Sequence, residues 1–140
     1  VVRDHLSLQE TTALLQTQAA RMEQRKENTY RWQIAVRDLA ILCATIATGR
    51  RIGGVCLWTV ADVNCAASDI RVEREKGQKG RVLPLTEWAV AALDCYLTKV
   101  RPYLVSGDNV PHLFLNRTGD GLITRDALKW ILKELLVETI

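Results

Sequence analysis

With 140 residues, the sequence is long enough for one domain with a buried core and too short for two. Hydrophobic residues make up 48% and charged residues 25% of it, which excludes disordered and collagen-like chains, and no run of 18 apolar residues predicts a membrane span. The net charge of +3 is compatible with a polyanionic partner but does not require one.

Two helices are predicted in the first third of the chain. Ser7 followed by Glu10 forms a capping box, which marks a helix start. The charged stretch 21–31 has nearly balanced charges and favours a solvated helix end or loop, with DNA contact as the lesser alternative. From Tyr30 to Ala47, apolar residues nearly surround the helix and predict a central buried element. Gly49 is expected to close it in the left-handed conformation.

A short helix and a small sheet follow. The short helix is predicted from Arg51 to Trp58. Apolar and charged residues alternate at 69–73, which predicts one strand, and residues 82–84 predict a second. The intervening letters EKGQKG contain two glycines that favour a turn, so the strands should pair antiparallel. The predicted fold class is α+β, mostly α-helical, with a small antiparallel sheet at about residues 68–84.

The last part of the chain is predicted to be helical again. Thr86 should cap a helix that ends at Pro102. A turn is predicted at residues 119–121, and Thr124 should cap a final helix. The apolar stripe of the first of these helices consists of Trp88, Ala91, Ala92, Cys95, Tyr96 and Val100. That of the final helix consists of Leu128, Ile131, Leu132 and Leu135.

The four cysteines lie too far apart in sequence for the close pairs that zinc sites and redox motifs need. Three of them have aliphatic neighbours and are interpreted as buried thiols in a reducing compartment. No metal or cofactor is predicted, and the expected location is cytoplasmic, with no membrane partner.

The first candidate functional segment is residues 48–52, where a buried helix ends and a new one begins. An arginine there would stand on a rigid base beside the amides of a helix start, and a guanidinium can donate two hydrogen bonds to phosphate oxygens. Arg50 and Arg51 are the candidates. The alternative is that one of them pairs with a carboxylate such as Asp62 while the other is solvated.

The second candidate segment is the strand-turn-strand region. Its five cations in 13 residues are Arg71, Arg74, Lys76, Lys79 and Arg81. Lysines at the tip of such a hairpin can reach a nucleic-acid groove, and each neutralised phosphate adds about 0.9 to the salt slope of duplex binding. A lysine-bearing edge that guards the sheet against aggregation is the equally weighted alternative.

Six motifs in fixed order resemble the tyrosine recombinases, the phage integrase family, from about residue 6 to the end. They are LSLQE at 6–10, RDLAIL at 37–42, TGRRI at 48–52, LWTVADV at 57–63, KGQKGRVLPL at 76–85 and LFLN at 113–116. The resemblance implies a single domain, residues 1–140, that forms the front portion of the recombinase catalytic fold. It also implies double-stranded DNA as the partner, a nucleoid-associated location and metal-free strand exchange through a 3′-phosphotyrosine.

The resemblance also implies roles for individual residues. Arg51 matches the first catalytic arginine, which neutralises the phosphate, and Lys76 matches the hairpin lysine, a general acid for the leaving 5′-oxygen. Lys79 and Arg81 match neighbouring basic positions that are expected to contact the DNA backbone. Arg50 and Arg74 are grouped with them as DNA-binding candidates. Arg50 stands where the family usually has an aliphatic residue, so the register favours Arg51 as the catalytic residue.

Two departures from the family pattern limit what is carried over. Gly54 stands where an acidic residue commonly helps to hold the catalytic arginine. The His-x-x-Arg motif and the nucleophilic tyrosine are absent, and the chain is expected to stop just before them. Tyr30, Tyr96 and Tyr103 are expected to be packing residues.

We therefore expect a front fragment that is inactive alone, with an exposed apolar surface that leads to self-association. The predicted surface lies on the last helix around Trp130, Leu135, Leu136 and Val137. A non-catalytic DNA-binding or regulatory module is the main alternative, and a protein-interaction module is the third.

Overall fold

The computed structural model describes residues 8–72 and 80–139. The helices are α1 (Leu8–Glu23), α2 (Tyr30–Thr48), α3 (Ile52–Cys56), α4 (Glu87–Cys95), α5 (Arg101–Leu104) and α6 (Arg125–Thr139). The strands are β1 (Val63–Asn64), β2 (Asp69–Val72) and β3 (Arg81–Pro84). This mostly helical architecture with a small antiparallel sheet confirms the predicted fold class. No helix in the two described ranges combines the length and apolar character that a bilayer crossing requires.

Helix α2 is the central element, as predicted. Its residues Ile34, Ala40 and Ile41 are buried, and α1 and α4 pack against it. The helix ends at Gly49, whose φ of 68° is in the left-handed region and whose N–H donates to the Thr45 carbonyl at 2.9 Å. The chain therefore leaves a buried helix at a defined point, immediately before the two arginines.

Helices α1 and α6 close a second, smaller apolar cluster. Its buried members are Leu14, Leu42, Leu132 and Leu135. The Thr124 hydroxyl accepts from the Ala127 N–H at 3.1 Å and so caps α6 as predicted. The expected exposed apolar surface is only partly correct, because Trp130 and Val137 are exposed whereas Leu135 is fully buried in this cluster.

The sheet has three strands in the order β1-β2-β3, so the prediction of two strands was incomplete. Strand β2 pairs antiparallel with β3 in the register Ile70↔Leu83, as expected for a hairpin. The missed strand β1 has only two residues, too few for an alternating pattern to reveal. The predicted turn at 75–80 lies outside the described residues except for Gly80, and Ser7 of the capping box lies outside them as well.

The predicted apolar stripe of α4 was wrong in part. Ala89 and Leu93, which were not assigned to it, are fully buried, whereas Trp88 is 43% exposed. The helix has two apolar faces, and the predicted stripe combined residues from both. One face enters the core, and the other borders an open groove of about 460 Å³ between α1, α2 and α4, lined by Trp88 and Cys95 among others.

The prediction that Pro102 ends this helix was also wrong. The chain continues from α4 through a π-helical turn at Tyr96–Val100 into α5. Pro102 lies in the first turn of α5, where the N–H that proline lacks has no partner in the helix. Thr86 is the residue before α4, as predicted, but its side chain makes no capping hydrogen bond.

Candidate functional site

Arg51 stands at the junction of α2 and α3. It is the residue before α3, with φ −74° and ψ 153°, and its carbonyl accepts from the N–H groups of Gly54 at 3.0 Å and Val55 at 3.1 Å. Its side chain is exposed, and its guanidinium makes no hydrogen bond or ion pair with any residue in the described ranges. The Arg51 carbonyl is therefore fixed by the start of α3 while the guanidinium donors stay available.

Arg50 occupies a different environment from its neighbour. It is half-buried, and its guanidinium lies along α3 beside Gly54. A Cβ added at Gly54 would lie 3.9 Å from both Nε and Nη2 of Arg50. Because Gly54 has no side chain, the space beside the Arg50 guanidinium stays open. Arg50 is half-buried whereas Arg51 is exposed, so Arg51 is the more accessible arginine.

The alternative that Asp62 pairs with one of these arginines is wrong. Its Oδ2 accepts from the Thr59 N–H at 2.8 Å and from the Thr59 hydroxyl at 3.1 Å. These bonds form a capping box at the single turn Val60–Asp62 that leads into β1. The carboxylate is thus used to shape the chain between α3 and the sheet.

A third arginine, which the sequence analysis did not single out, lies near α3. Arg125 is the first residue of α6, and α6 packs against α3. Burial raises the pKa of the Cys56 thiol on α3, and the Arg125 charge partly lowers it again, so the two groups are close enough to interact. The predicted Thr124 cap could have indicated an exposed first turn at residue 125, but not its proximity to α3.

The structure places only part of the basic hairpin. Arg71 on β2 and Arg81 on β3 are both exposed, whereas Val72, between Arg71 and the turn, is buried. Arg71 therefore points away from the core, as the predicted alternation requires. Arg74, Lys76 and Lys79 lie outside the described residues, so their roles stay predictions.

The three tyrosines differ in their surroundings. Tyr96 is fully buried: its hydroxyl donates to the Leu113 carbonyl at 2.7 Å and accepts from the Leu115 N–H at 3.2 Å. Burial raises the pKa of Tyr96 to about 12, which disfavours a phenolate nucleophile. Tyr96 is thus a packing residue, as expected, but Tyr103 is 76% exposed and Tyr30 is 47% exposed.

The cysteines are free thiols, of which Cys43 and Cys56 are buried. Burial raises the pKa of Cys43 to about 12, which makes it a poor nucleophile. Within the part of the chain that the structure describes, no group of three His, Cys, Asp or Glu residues could hold a metal ion.

Comparison with known proteins identifies the family. The sequence profile of the phage integrase family matches residues 11–138. The chain belongs to the phage integrase family. It is 34% identical over 131 residues to the tyrosine recombinase XerD of Staphylococcus epidermidis, covering 94% of this chain and 40% of that protein. It is 36% identical over 94 residues to the tyrosine recombinase XerC of Mycobacterium sp. strain KMS, covering 67% of this chain and 31% of that protein.

Solved structures show the same fold. The XerA recombinase superposes with a TM-score of 0.74 at 23% identity, over 96% of this chain and 42% of XerA. The XerH site-specific recombinase, bound to its difH substrate in a pre-cleavage complex, superposes with a TM-score of 0.71 at 16% identity, over 98% of this chain and 37% of XerH. The integrase-family chain therefore has part of the tyrosine recombinase catalytic fold and spans about two fifths of these proteins.

Proposed function

We propose that this integrase-family chain is the front part of the catalytic domain of a site-specific DNA recombinase, in which Arg51 holds the DNA phosphate that is attacked. The observation that carries the proposal is the exposed Arg51 guanidinium, which has no partner in the described part of the chain although its backbone is fixed between two helices. The reaction class, site-specific DNA recombination, is inferred from membership of the phage integrase family. Arg125, near α3, is a further candidate for backbone contact.

The proposed chemistry needs no metal. A tyrosine oxygen attacks the phosphorus, forms the 3′-phosphotyrosyl bond and displaces the 5′-oxygen of the next nucleotide. Negative charge grows on the non-bridging oxygens during this step, and the Arg51 fork, with its two parallel N–H donors, stabilises that charge. A proton passes to the departing 5′-oxygen, and Lys76 is the proposed donor.

The other basic residues are proposed to grip the DNA backbone. Arg81 is exposed on β3, where it can face a duplex that lies along the hairpin. Arg50, Arg74 and Lys79 are assigned the same role from the resemblance. Double-stranded DNA is thus the proposed partner and the nucleoid the proposed location.

The chain alone is proposed to be inactive in strand cleavage. Neither Tyr96 nor Tyr30 is placed as the nucleophile, since Tyr96 is buried and hydrogen-bonded and the hydroxyl of Tyr30 donates to the Arg117 carbonyl at 2.7 Å. The exposed Trp130 and Val137 on α6 support self-association or cover by further protein. A DNA-binding module that does not cleave is the second candidate, because Gly54 provides no carboxylate to orient Arg51.

Equilibrium binding to a duplex tests the proposal. Arg51→Ala removes charge-assisted hydrogen bonds, so its affinity should fall at least about tenfold. Lys99→Ala removes the same charge from an exposed position in the π-helical turn at Tyr96–Val100 and should change affinity by less than about threefold. Fluorescence anisotropy with labelled duplex at about 50 mM and about 200 mM salt measures both. Equal affinity of Arg51→Ala and the unmodified chain at both salt concentrations would contradict the proposal.

A further inference from the structure

Arginines also gather at the end of α2 opposite to Arg51. We call Arg25, Arg31 and Arg117 the arginine cluster. Helix α2 has 19 residues, and at 1.5 Å per residue its two ends are about 28 Å apart. Because one phosphate group cannot reach both ends, the arginine cluster is a site separate from that of Arg51.

Hydrogen bonds bring the three arginines of the cluster together from distant parts of the sequence. Nη1 of Arg25, in the loop after α1, donates to the Arg31 carbonyl in the first turn of α2 at 2.8 Å. The Tyr30 hydroxyl donates to the Arg117 carbonyl at 2.7 Å. The loop after α1, the start of α2 and the turn at 116–121 are thus tied to one another.

The positive charges of the cluster act on one another. Burial lowers the pKa of Arg25, and the charges of Arg31, Arg21 and Arg117 lower it further. Among the groups that affect Arg25, only the Asp38 charge raises its pKa. Cations held this close in a folded protein repel one another, and an anion between them would relieve the repulsion.

Two carboxylates on the segments that carry the cluster already have partners. Asp38 accepts two hydrogen bonds from the buried Arg37, at 2.8 and 3.0 Å. Asp120 accepts from Asn116 at 2.9 Å and from Thr118 at 2.8 Å, and these bonds shape the turn that carries Arg117. In the described ranges, the exposed guanidinium groups of Arg31 and Arg117 have neither a hydrogen bond nor an ion pair.

We propose that the arginine cluster binds a backbone phosphate of the DNA, as a second contact remote from Arg51. The inference rests on the proposed DNA-binding function. Guanidinium groups suit this ligand because each can donate two N–H bonds to one phosphate, and the charges of Arg31 and Arg117 both act on Arg25. DNA offers such phosphates at regular spacing over the 28 Å that separate the two sites.

A matched pair of double variants tests the inference. Arg31→Gln/Arg117→Gln removes two cluster charges whose guanidinium groups make no hydrogen bond within the described residues, so the fold should persist, as thermal unfolding will check. Lys99→Gln/Lys133→Gln removes two charges from exposed positions elsewhere. For a duplex of about 30 base pairs, the cluster variant should bind at least tenfold more weakly, with a salt slope smaller by about 0.9, because one phosphate contact is lost. The lysine variant should keep its slope and lose less than threefold.

Other outcomes overturn the inference. If both double variants weaken binding equally, only net charge acts, and there is no cluster site. If the cluster variant keeps its DNA affinity but loses binding to a polyglutamate peptide, the ligand is an acidic protein segment instead.

The Arg51→Ala variant separates this inference from the proposed function. Loss of affinity on Arg51→Ala alone leaves the proposed function standing and removes the cluster site. Loss on the cluster variant alone supports DNA binding through the cluster and removes the proposed role of Arg51. Absence of duplex binding by the unmodified chain at low salt removes both. If the two contacts are independent, the affinity of the triple variant Arg31→Gln/Arg117→Gln/Arg51→Ala should fall by the product of the two separate factors.

Discussion

Arg37 and Arg51 are 14 positions apart on the same central helix and its exit, yet their environments are opposite. Arg37 is 1% exposed and donates to Asp38 at 2.8 and 3.0 Å and to the Leu115 carbonyl at 3.0 Å. Arg51 is exposed and donates to no residue that the structure describes. The fold satisfies the donors of the Arg37 guanidinium, whereas those of Arg51 have no partner among the described residues.

Residue type alone therefore does not identify a binding arginine. A buried arginine must have its donors satisfied within the protein, because burying an unpaired charge is costly. An exposed arginine on a fixed backbone keeps its donors for solvent or phosphate. Substitutions at the two positions can distinguish a role of Arg37 in the fold from a role of Arg51 in binding.

The largest expected effect on stability is that of Arg37→Met. The change leaves the largely buried Asp38 carboxylate without its partner, and breaking a buried pair in this way costs about 3–5 kcal/mol of unfolding free energy. Urea denaturation measures the loss. The double variant Arg37→Met/Asp38→Leu should recover part of it, since no buried charge remains. A single variant as stable as the unmodified chain would show that Arg37 does not support the fold.

Tyr96→Phe should have a smaller effect, about 1–3 kcal/mol, because the Leu113 carbonyl and the Leu115 N–H lose their hydroxyl partner. The effect depends on pH, since burial raises the pKa of Tyr96 from 10.0 to about 12. The folded state then retains the proton that the unfolded state loses. Stability from this group is complete below pH 10 and is lost as pH rises towards 12.

Urea denaturation of the unmodified chain and of Tyr96→Phe across this pH range measures the dependence. The stability difference between the two proteins should shrink as pH rises. A constant difference would mean that the hydroxyl does not titrate differently in the folded and unfolded states.

The smallest expected effect on stability is that of Arg51→Ala. Its guanidinium has no partner among the described residues, and surface substitutions of this kind change the unfolding free energy by less than about 0.5 kcal/mol. Thermal unfolding of Arg51→Ala and Arg37→Met under the same conditions compares the two arginines directly. A loss of 2 kcal/mol or more, a roughly fourfold excess over that limit, would place Arg51 among the structural arginines.

Local sequence signals predicted much of the fold. Apolar periodicity located α2, Gly49 marked its end, and Thr124 marked the start of α6. Each of these signals acts over a few residues and can be read without knowing the tertiary structure. The path of the chain at Pro102 was not predicted, since proline is compatible with both a helix end and a first turn.

The candidate site was less predictable than the fold. Arg51 was predicted as a site residue from the register of the TGRRI motif, which needs no tertiary information, and its role stays a prediction. The proximity of Arg125 to α3 and the convergence of Arg25, Arg31 and Arg117 depend on packing between distant segments, which a single sequence does not reveal. The same holds for the Asp62 side chain, which caps a turn instead of pairing with an arginine.

Formation of the covalent tyrosine–DNA complex tests the central claim most directly. The chain would replace the matching segment of the XerD relative, so that a complete catalytic domain is present, and denaturing gels would follow single-turnover cleavage of a duplex substrate. The account predicts that Arg51→Ala slows the complex by about 100- to 1,000-fold. A 5′-bridging sulfur, which leaves without a proton, should rescue Lys76→Ala but not Arg51→Ala. Formation of the complex by Arg51→Ala at the unmodified rate would contradict the account.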